Sequence, residues 1–412
     1  MLQYNQITLD NGLQVIVNED KMTSLVAVNM LYKVGSKNEN VSHTGFAHLF
    51  EHLMFSGSKN FPSFDTLINS LGGESNAFTN SDYTNFYITI PFIYLEFVLR
   101  IEADRMCNLL IDQQHLDVQK KVVCEEFKER YLNQPYGDLY KIMRETSYKV
   151  HPYRWQTIGI DISHIESATL DIVRDFYNRF YQPSNAILSI SGNVKASEVF
   201  VLCKNVFSFN GEKTQKPSYP MESKQEENRY VREYRNVPAS LIVITFPMCE
   251  RNNNDFYIYD MLSDILSNGK SSRLYQSLVM QKQLFTDINA VVSGEDDPGL
   301  FIITGQYAES TDIEEGEKAI FEELQKLLDN PPNKEEFQKV KNKYVSNFAF
   351  NNIKILDKAM ELGYYAHLNN IDLINTEKDY YTAVKSADVL EYAKQLFFIN
   401  KHNTIYYIAK AE

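Results

Sequence analysis

The sequence has 412 residues, with 41 Lys and Arg against 54 Asp and Glu, and this net charge of −13 repels phosphate backbones and argues against a nucleic-acid partner. At 44% hydrophobic and 23% charged residues it has the composition of a folded globular chain, neither disordered nor fibrous. No stretch approaches the roughly 18–20 continuous apolar residues of a membrane span, and Cys107, Cys124, Cys203 and Cys249 form no C-x-x-C pair, so neither a membrane anchor, a disulfide frame nor a thiolate zinc site is expected.

Met1 to Gln6 carry no basic segment followed by an apolar core, so no secretory signal is read and a cytoplasmic location is expected, with a periplasmic one as the alternative if a signal has been removed. Strand-like segments Gln3 to Leu9 and Leu13 to Asn18 flank Asp10-Asn11-Gly12, a hairpin signal, and a third strand follows over Val26 to Val34. Helical periodicity covers Gly45 to Leu71, Phe92 to Leu110 and His115 to Asn133, with a strand at Asn85 to Ile90. A buried strand, Asn185 to Ser191, then precedes a helix, Ala196 to Val206. Helices and strands interleave without a regular βαβ rhythm.

The polar run between Asn210 and Asn228 is the best linker in the chain, which divides it into 1–210, a linker at 211–229, and 230–412. Beyond it the same grammar returns. Strand Leu241 to Phe246 is followed by helices near Asp255 to Ser267 and Ser272 to Gln283, by strands Ile288 to Val292 and Leu300 to Gly305, and by further helices. The two parts read as a weak internal duplication at the level of pattern.

One segment carries chemistry: Thr44-Gly-Phe-Ala-His48-Leu-Phe-Glu51-His52-Leu-Met-Phe-Ser-Gly57, a helix closed by glycine and containing H-x-x-E-H. His48 and His52 stand at i and i+4, so both imidazoles leave one helical face about one turn apart and can reach the same ion. Glu51, beside them, is offset toward a water rather than the ion. A mere polar stripe is the alternative. However, Phe46, Leu49, Phe50, Leu53 and Phe55 would leave those three groups largely desolvated, at a cost of about several kcal/mol unless they are paired or bind metal.

A catalytic zinc site wants three protein ligands and one open position, so a third ligand must come from elsewhere. The helix His115 to Asn133 offers Glu125, Glu126 and Glu129. Its apolar line Leu116, Val123, Phe127 and Tyr131 marks the buried side, with Glu126 beside Val122 and Val123, while Glu125 and Glu129 point to the flanks as surface carboxylates.

H-x-x-E-H followed by a downstream carboxylate resembles the pitrilysin and insulysin metallopeptidases, the inverzincins, and in particular their short bacterial and mitochondrial-processing-type members. The resemblance spans essentially the whole chain, through Thr8-Leu-Asp-Asn-Gly12, Gly72-Gly-Glu-Ser-Asn76-Ala77-Phe78, His151-Pro-Tyr153-Arg-Trp155 and Tyr181-Gln-Pro-Ser-Asn185. It implies a zinc endopeptidase with one Zn²⁺ per chain, held by His48, His52 and Glu126, with Glu51 as general base. It also implies that Asn76, Ala77 and Phe78 pair with an extended peptide substrate. The implied fold is α+β, two similar halves, each an antiparallel sheet covered by helices, that enclose a chamber on dimerisation.

Two departures from the family stand out. Where members often carry a carboxylate behind a zinc-binding histidine, this chain has Gln119, a second-layer amide that could orient a ligand but adds less basicity. Where active members place a closely spaced Arg and Tyr in the second half to contact substrate, Leu278 to Ile288 has neither, and Arg273 and Tyr275 have different spacing. The implied assembly is a heterodimer in which this chain brings zinc and its partner brings Arg and Tyr, with a homodimer as the alternative. A non-catalytic scaffold subunit is the rival from a different class.

Overall fold

Strands β1 (Asn5–Thr8) and β2 (Gln14–Glu19) form the expected hairpin, with Gly12 supplying φ 89° at the turn. The computed structural model describes residues 1–410 except 216 and 310. β3 (Leu25–Tyr32), β4 (Glu74–Thr79), β5 (Thr84–Pro91) and β6 (Ala186–Gly192) complete a six-stranded sheet of order β1-β2-β6-β3-β5-β4. The expected helical stretch from Gly45 is two helices, α1 (Phe46–Phe55) and α2 (Phe64–Ser70). They are separated at Gly57, whose φ is 103° and where a Cβ would sit 2.6 Å from the Pro62 carbonyl oxygen. Next come α3 (Leu95–Asn108) and α4 (Gln113–Phe127), the latter running into a π-helical turn, Lys128–Leu132.

A second sheet has the order β7-β11-β8-β10-β9, from β7 (Arg229–Arg235), β8 (Leu241–Pro247), β9 (Phe285–Val292), β10 (Leu300–Tyr307) and β11 (Asn403–Ala409). Its connectivity repeats that of β2-β6-β3-β5-β4 strand for strand, so the duplication read from pattern exists as topology. The fold is α+β with two similar halves, but neither sheet is wholly antiparallel. β2 pairs parallel with β6, and β7 with β11, because the last strand of each sheet returns by a long crossover to lie beside β2 in one and β7 in the other.

The compact units are not divided by a single cut in the linker. One comprises Met1–Arg130, Trp155–Pro220 and Ala349–Asn375; the other comprises Tyr131–Arg154, Met221–Phe348 and Thr376–Glu412. Helix Ile355–His367 belongs to the first unit because its surface fits that sheet. Ser189 Oγ donates to the Ala359 carbonyl at 2.6 Å, and a Cβ on Gly363 would meet Asn29 Nδ2 at 2.8 Å and Ser189 Oγ at 2.9 Å. With this helix over it, β6 is buried along its whole length. The second unit has its own core, with Ile242, Ile244 and Phe246 of β8 packed against Leu262, Leu266, Ile303 and Leu396. Among the described residues no helix is long and apolar enough to cross a membrane.

Candidate metal centre

Helix α1 buries Phe46, Ala47, Leu49, Phe50, Leu53 and Met54, which leaves His48, Glu51, His52 and Phe55 on its half-buried face. Its N-terminus is held by Glu39, whose Oε2 accepts the Gly45 N–H at 2.9 Å and whose Oε1 accepts that of Ala47 at 2.8 Å. Full burial pushes the Glu39 carboxyl up to about 8, against the hydrogen bonds that favour its anion. At the other end the buried Arg105 guanidinium stacks over Phe64 and Phe86, pairs with Glu102 at 2.5 Å and donates to the Met54 carbonyl at 3.4 Å. The helix carrying the motif thus has an acid at its positive end and a base at its negative end.

α4 places Glu126 against this face. His48 Nε2 lies 3.6 Å from Glu126 Oε1, and His52 Nε2 lies 3.3 Å from Glu126 Oε2. One ligand atom from each of the three residues falls within 4.8 Å of the other two, the one such group of metal-ligating side chains among the described residues. The donor set and spacing fit zinc. Atoms about 2.0–2.1 Å from a tetrahedral ion stand about 3.3–3.4 Å apart, and the separations of 3.6 and 3.3 Å, one to each Glu126 oxygen, lie close to that and beyond the roughly 2.9 Å of an N–H···O hydrogen bond. Burial pushes the His48 imidazole down to about 4, so its lone pair stays available, and the close approach of His52, with the His48 and Arg130 charges, holds Glu126 below the usual carboxylate range.

Glu125 and Glu129 are exposed, with Glu125 paired to Lys128 at 2.7 Å, so neither joins the group. Gln119 is not placed behind a histidine as expected. Its Nε2 donates to Ser56 Oγ at 3.1 Å, where α1 ends, and the buried His48 Nδ1 has no hydrogen-bond partner among the described residues. Asn76, Ala77 and Phe78 lie on β4, the sheet-edge strand, which among the described residues pairs only with β5. Asn76 is exposed, and Ala77 and Phe78 are half-buried.

Sequence reasoning missed three contacts here. Arg130 reaches Glu126 Oε1 at 2.9 Å, an i,i+4 pair readable from the helix but obscured by the choice among three glutamates. Thr79 Oγ1 donates to Glu51 Oε2 at 2.6 Å. Burial raises the Glu51 carboxyl and this bond opposes the rise. The Glu39 cap is the third. In the second unit, Arg273 is a packing residue, forked onto Glu336 at 2.8 and 2.9 Å. His151 is buried and accepts the Tyr153 N–H at 3.1 Å through Nδ1, in keeping with a structural role.

Comparison with known proteins gives one consistent result. Residues 14–155 match the profile of the insulinase family (peptidase family M16), and residues 167–344 match the profile named peptidase M16 inactive domain. A zinc protease named PqqE from Helicobacter pylori is 30% identical over 411 residues, covering 98% of this chain and 92% of the relative. The crystal structure of a protease from Helicobacter pylori superposes with a TM-score of 0.93 at 29% identity, over 99% of this chain and 100% of the other. A peptidase M16 inactive domain from Pseudomonas fluorescens has a TM-score of 0.90 at 15% identity, over 100% and 98% of the two chains, a likeness of fold alone.

Proposed function

The chain belongs to the insulinase family of peptidases, M16, and from that premise we propose that it is a zinc-dependent endopeptidase acting on short or unfolded peptides. The observation that carries this reading is the convergence of His48, His52 and Glu126, on two separate helices, at the spacing of a shared ion. These three residues hold one Zn²⁺ within the first half, 1–210. A bound zinc ion supplies Lewis acidity that brings the pKa of a water toward about 7.

Glu51 takes the proton from the attacking water and returns it to the leaving amine, a role suited to a half-buried carboxylate adjacent to the ligands but not among them. An extended peptide adds to the free edge of β4 at Asn76, Ala77 and Phe78, held mainly through its backbone, which gives weak sequence preference. The chain forms a dimer that encloses the reaction chamber, and since Leu278 to Ile288 offers neither Arg nor Tyr, a homologous partner supplies the groups that stabilise the developing oxyanion.

The test is hydrolysis of a mixed quenched-peptide library by the zinc-loaded chain, with Glu51→Gln as control and zinc measured on the same samples. Cleavage lost in Glu51→Gln with zinc retained supports the peptidase, and efficient cleavage by the chain alone removes the need for an Arg- and Tyr-bearing partner. Absence of zinc from the purified chain would favour a scaffold subunit instead.

A further inference from the structure

The hydroxyl of Thr79 links two parts of the site that the peptidase reading treats separately. Thr79 is the last residue of β4, the edge strand, and shares its face with Ala77, roughly 6.6–6.8 Å away along the strand. On that face its Oγ1 donates to Glu51 Oε2 at 2.6 Å, a short bond to a carboxylate. The terminal torsion of a glutamate is broad and roughly two-fold, so an untethered carboxylate presents either oxygen in many orientations. The bond commits Oε2 to Thr79 and leaves Oε1 as the proton acceptor.

The position of Thr79 is itself built in. The next turn is fastened to the loop before α1: the Asn80 carbonyl accepts the Ser36 N–H at 3.1 Å, the Ser81 carbonyl accepts that of Lys37 at 2.9 Å, and Lys37 pairs with the buried Asp82 at 2.7 Å. Across the β4–β5 pair, Thr84 stands opposite Thr79 and its Oγ1 donates to the Val34 carbonyl at 2.8 Å. A Cβ on Gly35 would come within 2.4–2.5 Å of the Ser81, Asn80 and Asp82 backbone, so the loop and turn are in direct contact. That loop continues to Glu39, which caps α1. The strand end and the helix bearing Glu51 are therefore held by one short segment, 35–39.

We propose that Thr79 is a positioning residue that ties the peptide-binding edge of β4 to the base, so that the strand which receives the peptide also aims Glu51. This rests on the peptidase reading. A peptide paired along Asn76 to Phe78 ends its register beside Thr79, and a shift of the strand moves the hydroxyl and the carboxylate together. A displacement of about 1 Å in a reacting group is enough to cost on the order of 100-fold in rate, which is the scale of what the tether protects.

The experiment measures binding of a dipeptide hydroxamate to the zinc-loaded chain by calorimetry, a readout independent of turnover and of any partner. Wild type, Thr79→Val, Thr79→Ser, Glu51→Gln and the Thr79→Val/Glu51→Gln double variant are compared, with zinc content and melting temperature on each. The expected result is about tenfold weaker binding for Thr79→Val, recovery to within about threefold for Thr79→Ser, no further loss from Thr79→Val once Glu51 is Gln, and unchanged zinc content and melting. In any assembly that turns over, Thr79→Val lowers kcat by about tenfold or more with KM unchanged. Wild-type affinity in Thr79→Val while Glu51→Gln is weakened overturns the positioning role alone, as do additive losses in the double variant or loss of zinc or fold in Thr79→Val. No zinc-dependent binding by the wild type, or binding indifferent to Glu51→Gln, overturns the peptidase reading and this inference with it.

Discussion

Glu39 Oε1 accepts the N–H of Ala47 at 2.8 Å, so a buried carboxyl group closes the helix that presents His48. Burial pushes that carboxyl up to about 8, well above the roughly 4.3 of an unfolded glutamate. The folded chain keeps this proton over a window in which the unfolded chain has released it. The stabilisation linked to Glu39 is therefore complete below about pH 4.3 and is lost as pH rises toward 8, by on the order of a few kcal/mol. Glu39→Gln retains an acceptor for one helix N–H and cannot titrate. Urea midpoints for the two proteins from pH 5 to 9 should diverge, with wild type losing stability relative to Glu39→Gln as pH rises; parallel curves would refute the linkage.

Arg130 competes for the carboxylate that faces the histidines. Its guanidinium lies 2.9 Å from Glu126 Oε1 and is 68% exposed, so the pair is largely screened and the competition is modest. Arg130→Ala should tighten zinc binding by about two- to fivefold through removal of a nearby positive charge and release of one ligand oxygen. Chelator competition at low and at high salt measures this, and the gain should shrink with salt. Weaker zinc binding in Arg130→Ala would mean that the guanidinium orients Glu126 instead of competing for it.

Gly35 has an ordinary negative φ of −134°, and its requirement is space. A Cβ there would lie 2.4 Å from the Ser81 carbonyl carbon and 2.5 Å from the Asp82 nitrogen, backbone atoms that cannot rotate away. Gly35→Ala should destabilise the chain by about 1–3 kcal/mol and move the turn that follows Thr79. Gly72→Ala is the contrast. Nothing lies within 4 Å of its Cβ position, and only its φ of 72° opposes the change, at roughly 1 kcal/mol. Thermal melts of the two variants separate close contact from backbone strain.

The legible part of the site is the part written at helical spacing. His48, Glu51 and His52 declare themselves because one helix face fixes their geometry, whereas the apolar line Leu116, Val123 and Phe127 only favours Glu126 over Glu125 and Glu129, and its choice as the ligand rests on the family resemblance. Thr79 and Glu39 are invisible in the same sense, since each acts across a tertiary contact that no local period encodes. β7 escapes notice because in Arg-Tyr-Val-Arg-Glu-Tyr-Arg only Val231 is aliphatic and the half-buried face is otherwise charged, so no apolar period of two appears, as suits an edge strand exposed on one face. The exchange of segments between the units is hidden for another reason. Gly363 reads as a weakness in a helix, and only the closeness of Asn29 and Ser189 shows it to be the contact that draws that helix onto the first sheet.

Arg105 and Glu102 put a full ion pair in the interior, with side chains 1% and 2% exposed. Two charges taken out of water recover their desolvation cost only through each other and their neighbours, here the faces of Phe64 and Phe86 and the Met54 carbonyl at the end of α1. Removing one partner strands the other. Arg105→Met should cost about 3–5 kcal/mol, because Glu102 is then buried without a counter-charge, whereas Arg105→Met with Glu102→Leu should recover most of that loss. The double variant still lacks the donor at the α1 carbonyl end, so its zinc affinity should stay below wild type after its melting temperature has recovered. Recovery of both together would show that the pair supports folding alone, and recovery of neither would show that the guanidinium's contacts with Phe64 and Met54, rather than charge balance, are what the interior needs from it.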